Sequence, residues 1–185
     1  MIADPLATWR AEHANFARLL LLLEHELAQF HTAAQPDYAL MLDVMYYMTH
    51  YPDRFHHPAE DAAFERMIAS DPASAPVLDR LREQHAWLRV AGEALVALLD
   101  DVVNGAIRTR ASIESGAEEY IARFREHMAI EDTTAFPAAA RVLSAADWAR
   151  VTAAAPVEDP LFAAAGAERY AALEAAITRE AAIPR

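Results

Sequence analysis

The sequence predicts an all-α protein: an up-down-up-down four-helix bundle with a C-terminal helical extension. Three observations carry this. The chain is 185 residues long, 55% hydrophobic, and has only 4 glycines, a helix-forming composition sized for one domain. Its long segments repeat apolar residues at alternating steps of three and four, the stripe of a buried helix face. The breaks between them are short and carry cap residues, which favours antiparallel neighbours.

The first helix opens at Asp4-Pro5, a cap with proline at the first helical position, and is expected to run to about Ala34. The second spans Asp37 to Ser70 before Asp71-Pro72. Pro52 and Pro58 fall inside it, and each removes a backbone hydrogen bond and should bend it. The third runs from Ser74 to Asn104-Gly105, a C-cap signal. The fourth runs from Thr109 to Leu143, with Pro137 near its end. Ser144 and Asp147 read as a capping-box variant that opens a fifth helix with Trp148. A last short helix is expected from Gly166 to Ile183. Residues 1–143 are therefore assigned to the bundle and 144–185 to the extension packed on it.

Composition narrows the function. The net charge of −12 argues against nucleic acid, which needs a basic face. The absence of cysteine removes disulfides, thiolate zinc sites and cysteine-held clusters. The N-terminus lacks the basic region of a signal peptide. The apolar run from Leu19 to His25 is too short to cross a bilayer. The expectation is a cytoplasmic protein with neither nucleic acid nor membrane as partner.

The informative residues are histidines on the apolar seams. On the first helix the seam is Leu6, Trp9, His13, Phe16, Leu20, Leu23 and Leu27. On the third it is Leu78, Leu81, His85, Leu88, Gly92, Leu95 and Leu99. On the fourth, Ile113, Ala117, Tyr120 and Phe124 lead to His127 and Glu131. On the second, the stretch HHPAED (His56 to Asp61) is resolved by a helical wheel. At 100° per residue from Met45, His56 falls near +20° and Glu60 near +60°, with the apolar face. His57 falls near +120° and Asp61 near +160°, along the edge or outward.

Each helix thus offers one histidine to the interior, and two add a carboxylate one turn later. Such i, i+4 pairs share a face and can chelate one ion or bridge two. Imidazole with carboxylate and no sulfur suits iron, zinc or manganese. His25, His31 and His50 lie off these seams and are read as surface or local capping groups. Tyr46, Tyr47, Tyr51 and Tyr120 are read as packing residues first, with a donor role beside the ligands as the alternative.

Four segments also resemble a known family: EHANFARLLLLLEHE from Glu12, RFHHPAEDAAF from Arg54, LREQHAWL from Leu81 and FREHMAIEDTTAFP from Phe124. Together they are similar to the hemerythrin-like HHE cation-binding domains, four-helix bundles with a non-haem di-iron centre. The tail pieces ADW (from Ala146) and DPLF (from Asp159) resemble a bacterial branch. The resemblance implies that His13, His56, His85 and His127 ligate iron and that Glu60 and Glu131 bridge two irons, with zinc or manganese as substitutes. The sequence also departs from the oxygen carriers of that family. Arg89 stands where they have a second histidine on the third helix, while the aspartate they place five residues after the last histidine of the fourth helix is here Asp132, beside Glu131. A water, His57 or Asp132 is left to complete the site, and Asp61 stands with His57 and Asp132 as a further candidate to bind or support the metals.

The expected function is binding of a small ligand such as O2, NO or peroxide, for storage, sensing or detoxification. Two alternatives stand beside it. One is iron handling or iron–sulfur cluster repair, in which relatives carry a cysteine-bearing N-terminal segment. The other is a metal-dependent sensory module signalling through residues 144–183. No catalytic base stands out, and a homodimer is left open. Ferritin-like di-iron bundles need Glu-x-x-His, a pattern this chain lacks.

Overall fold

The computed structural model describes residues 4–32, 34–154, 173 and 175, and the described residues contain helices and no strand. The helices are α1 (Pro5–Ala28), α2 (Tyr38–Tyr51), α3 (His57–Ser70), α4 (Ala75–Val103), α5 (Arg110–Ile130), α6 (Phe136–Val142) and α7 (Ala145–Ala154). A π turn, Pro52–His56, joins α2 to α3, and a second, Glu131–Ala135, joins α5 to α6. The result is four rods: α1, α2–α3, α4 and α5–α6. The first rod touches the second and fourth, and the third touches the same two. That is the bundle the sequence predicts. The expected helix at Gly166 to Ile183 lies outside the described residues, apart from helical, fully buried Leu173 and helical, exposed Ala175.

The rods begin and end where the caps direct. Asp4 accepts from the Leu6 amide at 3.1 Å, Asp37 from Leu40 at 2.9 Å and Thr109 from Ser112 at 3.2 Å. Each satisfies one orphan donor of a first turn. The α-helical part of the first rod stops at Ala28 rather than Ala34, tightening into a 3-10 turn over Gln29–His31. At the end of α4, Gly105 takes φ +88°. Its amide reaches Val102 and that of Ala106 reaches Asp101, the paired bonds of a Schellman stop. Ser144 and Asp147 cap each other reciprocally at the start of α7.

The two π turns share one cause. In each, the last i→i−5 bond is made by the residue just before a proline: His57 to Pro52, before Pro58, and Phe136 to Glu131, before Pro137. Proline has no amide to continue the α ladder and clashes with the carbonyl four residues back. One extra residue in the turn relieves the clash. Pro52 also leaves the Met48 carbonyl without its helical donor, and the Tyr120 hydroxyl donates to it at 3.5 Å. An extra residue shifts the phase of the helix by about 100°.

Two hydrophobic clusters fill the bundle. The larger runs from Phe16 to Leu27 on α1 against Met41–Tyr51, Leu88–Leu99 and Ile113–Met128. The smaller joins Leu6, Trp9, Phe64, Leu78, Phe136 and Leu143 with Val151 of α7. Between them lies a layer of buried polar groups.

Candidate metal centre

That layer contains His13, His56, His57, Glu60, His85, His127 and Glu131, all buried, with Glu60 and Glu131 at 0% exposure. Their inward atoms fall into two groups, each with its candidate ligand atoms within 4.8 Å of one another. One group is His13, His56, Glu60 and Glu131; the other is His57, Glu60, His85 and His127. Glu60 belongs to both. Its Oε1 lies 3.1 Å from His56 Nε2, and its Oε2 lies 3.5 Å from His85 Nε2. Glu131 also faces both groups, with Oε2 3.3 Å from His13 Nε2 and Oε1 3.4 Å from His85 Nε2.

The imidazoles point their Nε2 atoms together in pairs. His13 and His56 meet at 3.1 Å, as do His85 and His127. Two nitrogens bound at right angles to one ion, about 2.1 Å from it, would sit roughly 3 Å apart. Several inward atoms have no hydrogen-bond partner: His57 Nε2, both oxygens of Glu60, and Glu131 Oε2. Buried carboxylates left so are costly, and cations are what this donor set suits. The residues therefore fit a pair of metal ions.

Every Nδ1 faces an oxygen. His56 pairs with Glu12 at 2.6 Å, His85 with Asp61 at 3.0 Å and His127 with Gln84 at 3.2 Å. His57 pairs with Asp53 at 3.1 Å. His13 Nδ1 lies 3.3 Å from Asp132 Oδ1, within ion-pair reach but outside hydrogen-bond geometry. An acceptor at Nδ1 assigns the proton there and leaves the Nε2 lone pair facing inward. Four of these pairs form a closed ring around the bundle. The first rod's Glu12 serves His56 on the second, and the second rod's Asp61 serves His85 on the third. The third rod's Gln84 serves His127 on the fourth, and the fourth rod's Asp132 faces His13 on the first. Tyr51 donates to Glu12 at 2.6 Å and locks that link.

Electrostatics reflect the same balance. Burial pulls His56 down, but the Glu60 charge and the bond to Glu12 outweigh it and carry its pKa up to about 10. His85, also opposed by burial, rises to about 9 through Asp61 and Glu131. Burial and the facing His85 and His127 hold His57 well below its ordinary value. Burial would raise Glu131, yet His127, His13 and His85 hold it well below the usual carboxylate range. Burial pushes Asp53 up to about 7 against the pull of Arg89.

The sequence-derived candidates His13, His56, Glu60, His85, His127 and Glu131 are brought together in one layer. His57 requires a correction. The wheel places it along the edge or outward, but it is only 4% exposed and faces His85 and His127. The π turn at Pro52–His56 rotates it inward. Asp61 and Asp132 stand behind His85 and His13 as Nδ1 partners. Glu12, Gln84 and Asp53 were not singled out from the sequence, and Tyr51, read first as packing and second as a donor beside the ligands, takes the second role by donating to Glu12. Glu12 and Gln84 each precede a candidate ligand in the chain but serve the neighbouring rod, so no local spacing reveals them. Asp53 is i−4 from His57, a signal that was available. His25 and His31 are exposed, and half-buried His50 pairs with the Tyr46 carbonyl at 2.8 Å.

The fold and this layer define a helical bundle able to hold cations among buried histidines and glutamates. The chain matches the family described as Hemerythrin HHE cation binding domain over residues 4–139, and it belongs to that family. Neither curated proteins nor solved structures gave a match. No helix among the described residues is long and apolar enough to cross a membrane.

Proposed function

We propose that the protein holds a non-haem di-iron centre that binds a small ligand such as O2, NO or peroxide, in storage, sensing or detoxification. The observation that carries this reading is the pair of four-residue groups sharing Glu60, with each inward imidazole backed at Nδ1. His13 and His56 would hold one ion, and His57, His85 and His127 the other. Glu60 and Glu131 would span both. When bound, the metals supply Lewis acidity and redox capacity. The chain's own residues fix the imidazole tautomers, balance charge with two carboxylates, and exclude bulk water with the aromatic rings of Phe16, Phe64, Phe124 and Phe136. His57 takes the role of completing nitrogen, which the sequence left open between water, His57 and Asp132.

The test is an anaerobically iron-loaded sample followed optically on addition of O2, and separately NO or peroxide. A reversible or stoichiometric spectral change with one of them is expected. A loaded protein indifferent to all three would leave iron handling or a metal-ordered sensory module as the better account.

A further inference from the structure

All the candidate ligands are buried, so ions need a way in. Most of the centre is walled by aromatic rings. His13 stacks on Phe136, and His56 meets Phe16 and Trp9 edge-on. One side differs. Between α3 and α4 lies a groove of about 240 Å³, lined by Asp53, His57, Asp61, Arg82, Ala86 and Arg89, together with His85 and Pro58. His57 and His85 stack at its floor, with centroids 4.2 Å apart and planes 13° from parallel. Their Nδ1 edges meet Asp53 and Asp61, which line the groove, and their Nε2 edges belong to the metal-binding group. Two imidazole rings therefore separate groove from centre. The His57 ring sits directly after a π turn, and its inner nitrogen has no hydrogen bond to hold it.

We propose that this α3–α4 groove is the passage by which small ions reach the buried centre, and that Arg82 and Arg89 set its charge preference. A divalent cation moving inward meets the carboxylates of Asp53 and Asp61 before the imidazoles. Arg82 is already balanced by Glu65 at 3.3 Å, Asp61 at 3.8 Å and Asp79 at 3.9 Å. Among the described residues, Arg89 has one carboxylate within ion-pair distance, Glu93 at 3.5 Å, and a longer-range attraction to Asp53. Arg89 is thus the less compensated cation at the mouth. It opposes incoming metal and favours an incoming monoanion. A swing of the His57 side chain opens the floor.

This inference rests on the di-metal reading, and the experiment separates the two. Cobalt(II) uptake by metal-free protein and azide binding to the cobalt-loaded protein are followed by stopped-flow absorbance. Ala86 is exposed on α4, so Ala86→Trp should plug the groove without disturbing the core. It is expected to slow both processes by about tenfold or more while the final cobalt content stays unchanged. Arg89→Glu is expected to speed cobalt uptake and slow azide binding, each by roughly threefold to tenfold at low salt, with the difference lost at high salt. Arg18→Glu, the same charge change at an exposed position of α1, should alter neither rate. Rates unmoved by Ala86→Trp and Arg89→Glu, with cobalt still bound, overturn the passage alone. An equal response to Arg18→Glu also overturns it. A wild-type chain that takes up no cobalt overturns the di-metal reading and the passage together.

Discussion

Glu12, Asp61, Gln84 and Asp132 each neighbour a candidate ligand in the chain, yet each supports the imidazole of the next rod. Glu12, Asp61 and Gln84 engage Nδ1 by hydrogen bonds and so turn Nε2 to the interior, while Asp132 faces His13 Nδ1 at ion-pair distance. Removing such a partner typically weakens a metal site by about tenfold to a hundredfold, the loss expected for Gln84→Leu in a metal-competition titration. His56→Ala and His57→Ala are both expected to lower bound metal. His57→Ala retaining full content and affinity would remove His57 from the ligand set. Protonation gives a second check. His56 and His85 are raised to about 10 and about 9, so near pH 7 they are charged in the metal-free fold. Their contribution to metal-free stability is full below the unfolded value near 6.5. It is lost as pH rises through about 9 and then about 10. Urea unfolding of metal-free protein should therefore show falling stability from about pH 7 to 10. Metal displaces those protons, so calorimetry near pH 7 in buffers of different ionisation heat should register their release. No release would contradict the charged assignment.

The elements decide which residues meet. Seams on α1, α4 and α5 were legible because an undistorted helix keeps its 3.6 period, and every seam member named there is buried. The second rod was less so. Pro52 and Pro58 announced a distortion, but a kink, a break and a π turn all follow from prolines, and only the last turns His57 inward. Pro137 marked the fourth rod in the same way, and its π turn begins at Glu131 itself. The Nδ1 partners were not legible because they depend on which rods lie side by side. A tight crossing was hidden too. Gly92 reads as one more seam position, yet a Cβ there would lie 2.6 Å from Thr49 Cγ2 and 3.2 Å from the Tyr120 ring. Helix propensity alone would make Gly92→Ala stabilising by about 1 kcal/mol. Overpacking between α2 and α4 should outweigh that, for a net loss of about 1–2 kcal/mol in thermal or urea unfolding. A gain in stability would show that this contact yields.

At the scale of the molecule, a polar layer divides two hydrophobic clusters, and all four rods contribute to it. Such a layer is a weak point when its carboxylates lack cations and a cross-link when they have them. Chelation should lower the melting temperature, because a ligand at a thousand times its Kd stabilises the fold by about 4 kcal/mol. The acidic chain, with its net charge of −12, favours cation uptake in the same direction. In the proposed centre, Glu60 and Glu131 would bridge two metals held in this layer. This arrangement is tested most directly by anaerobic titration of metal-free protein with iron(II), with bound iron counted per chain. Saturation at two irons per chain, falling to one or fewer in Glu60→Ala, is the expected result. Saturation at one iron in the wild type, or no binding, would contradict it.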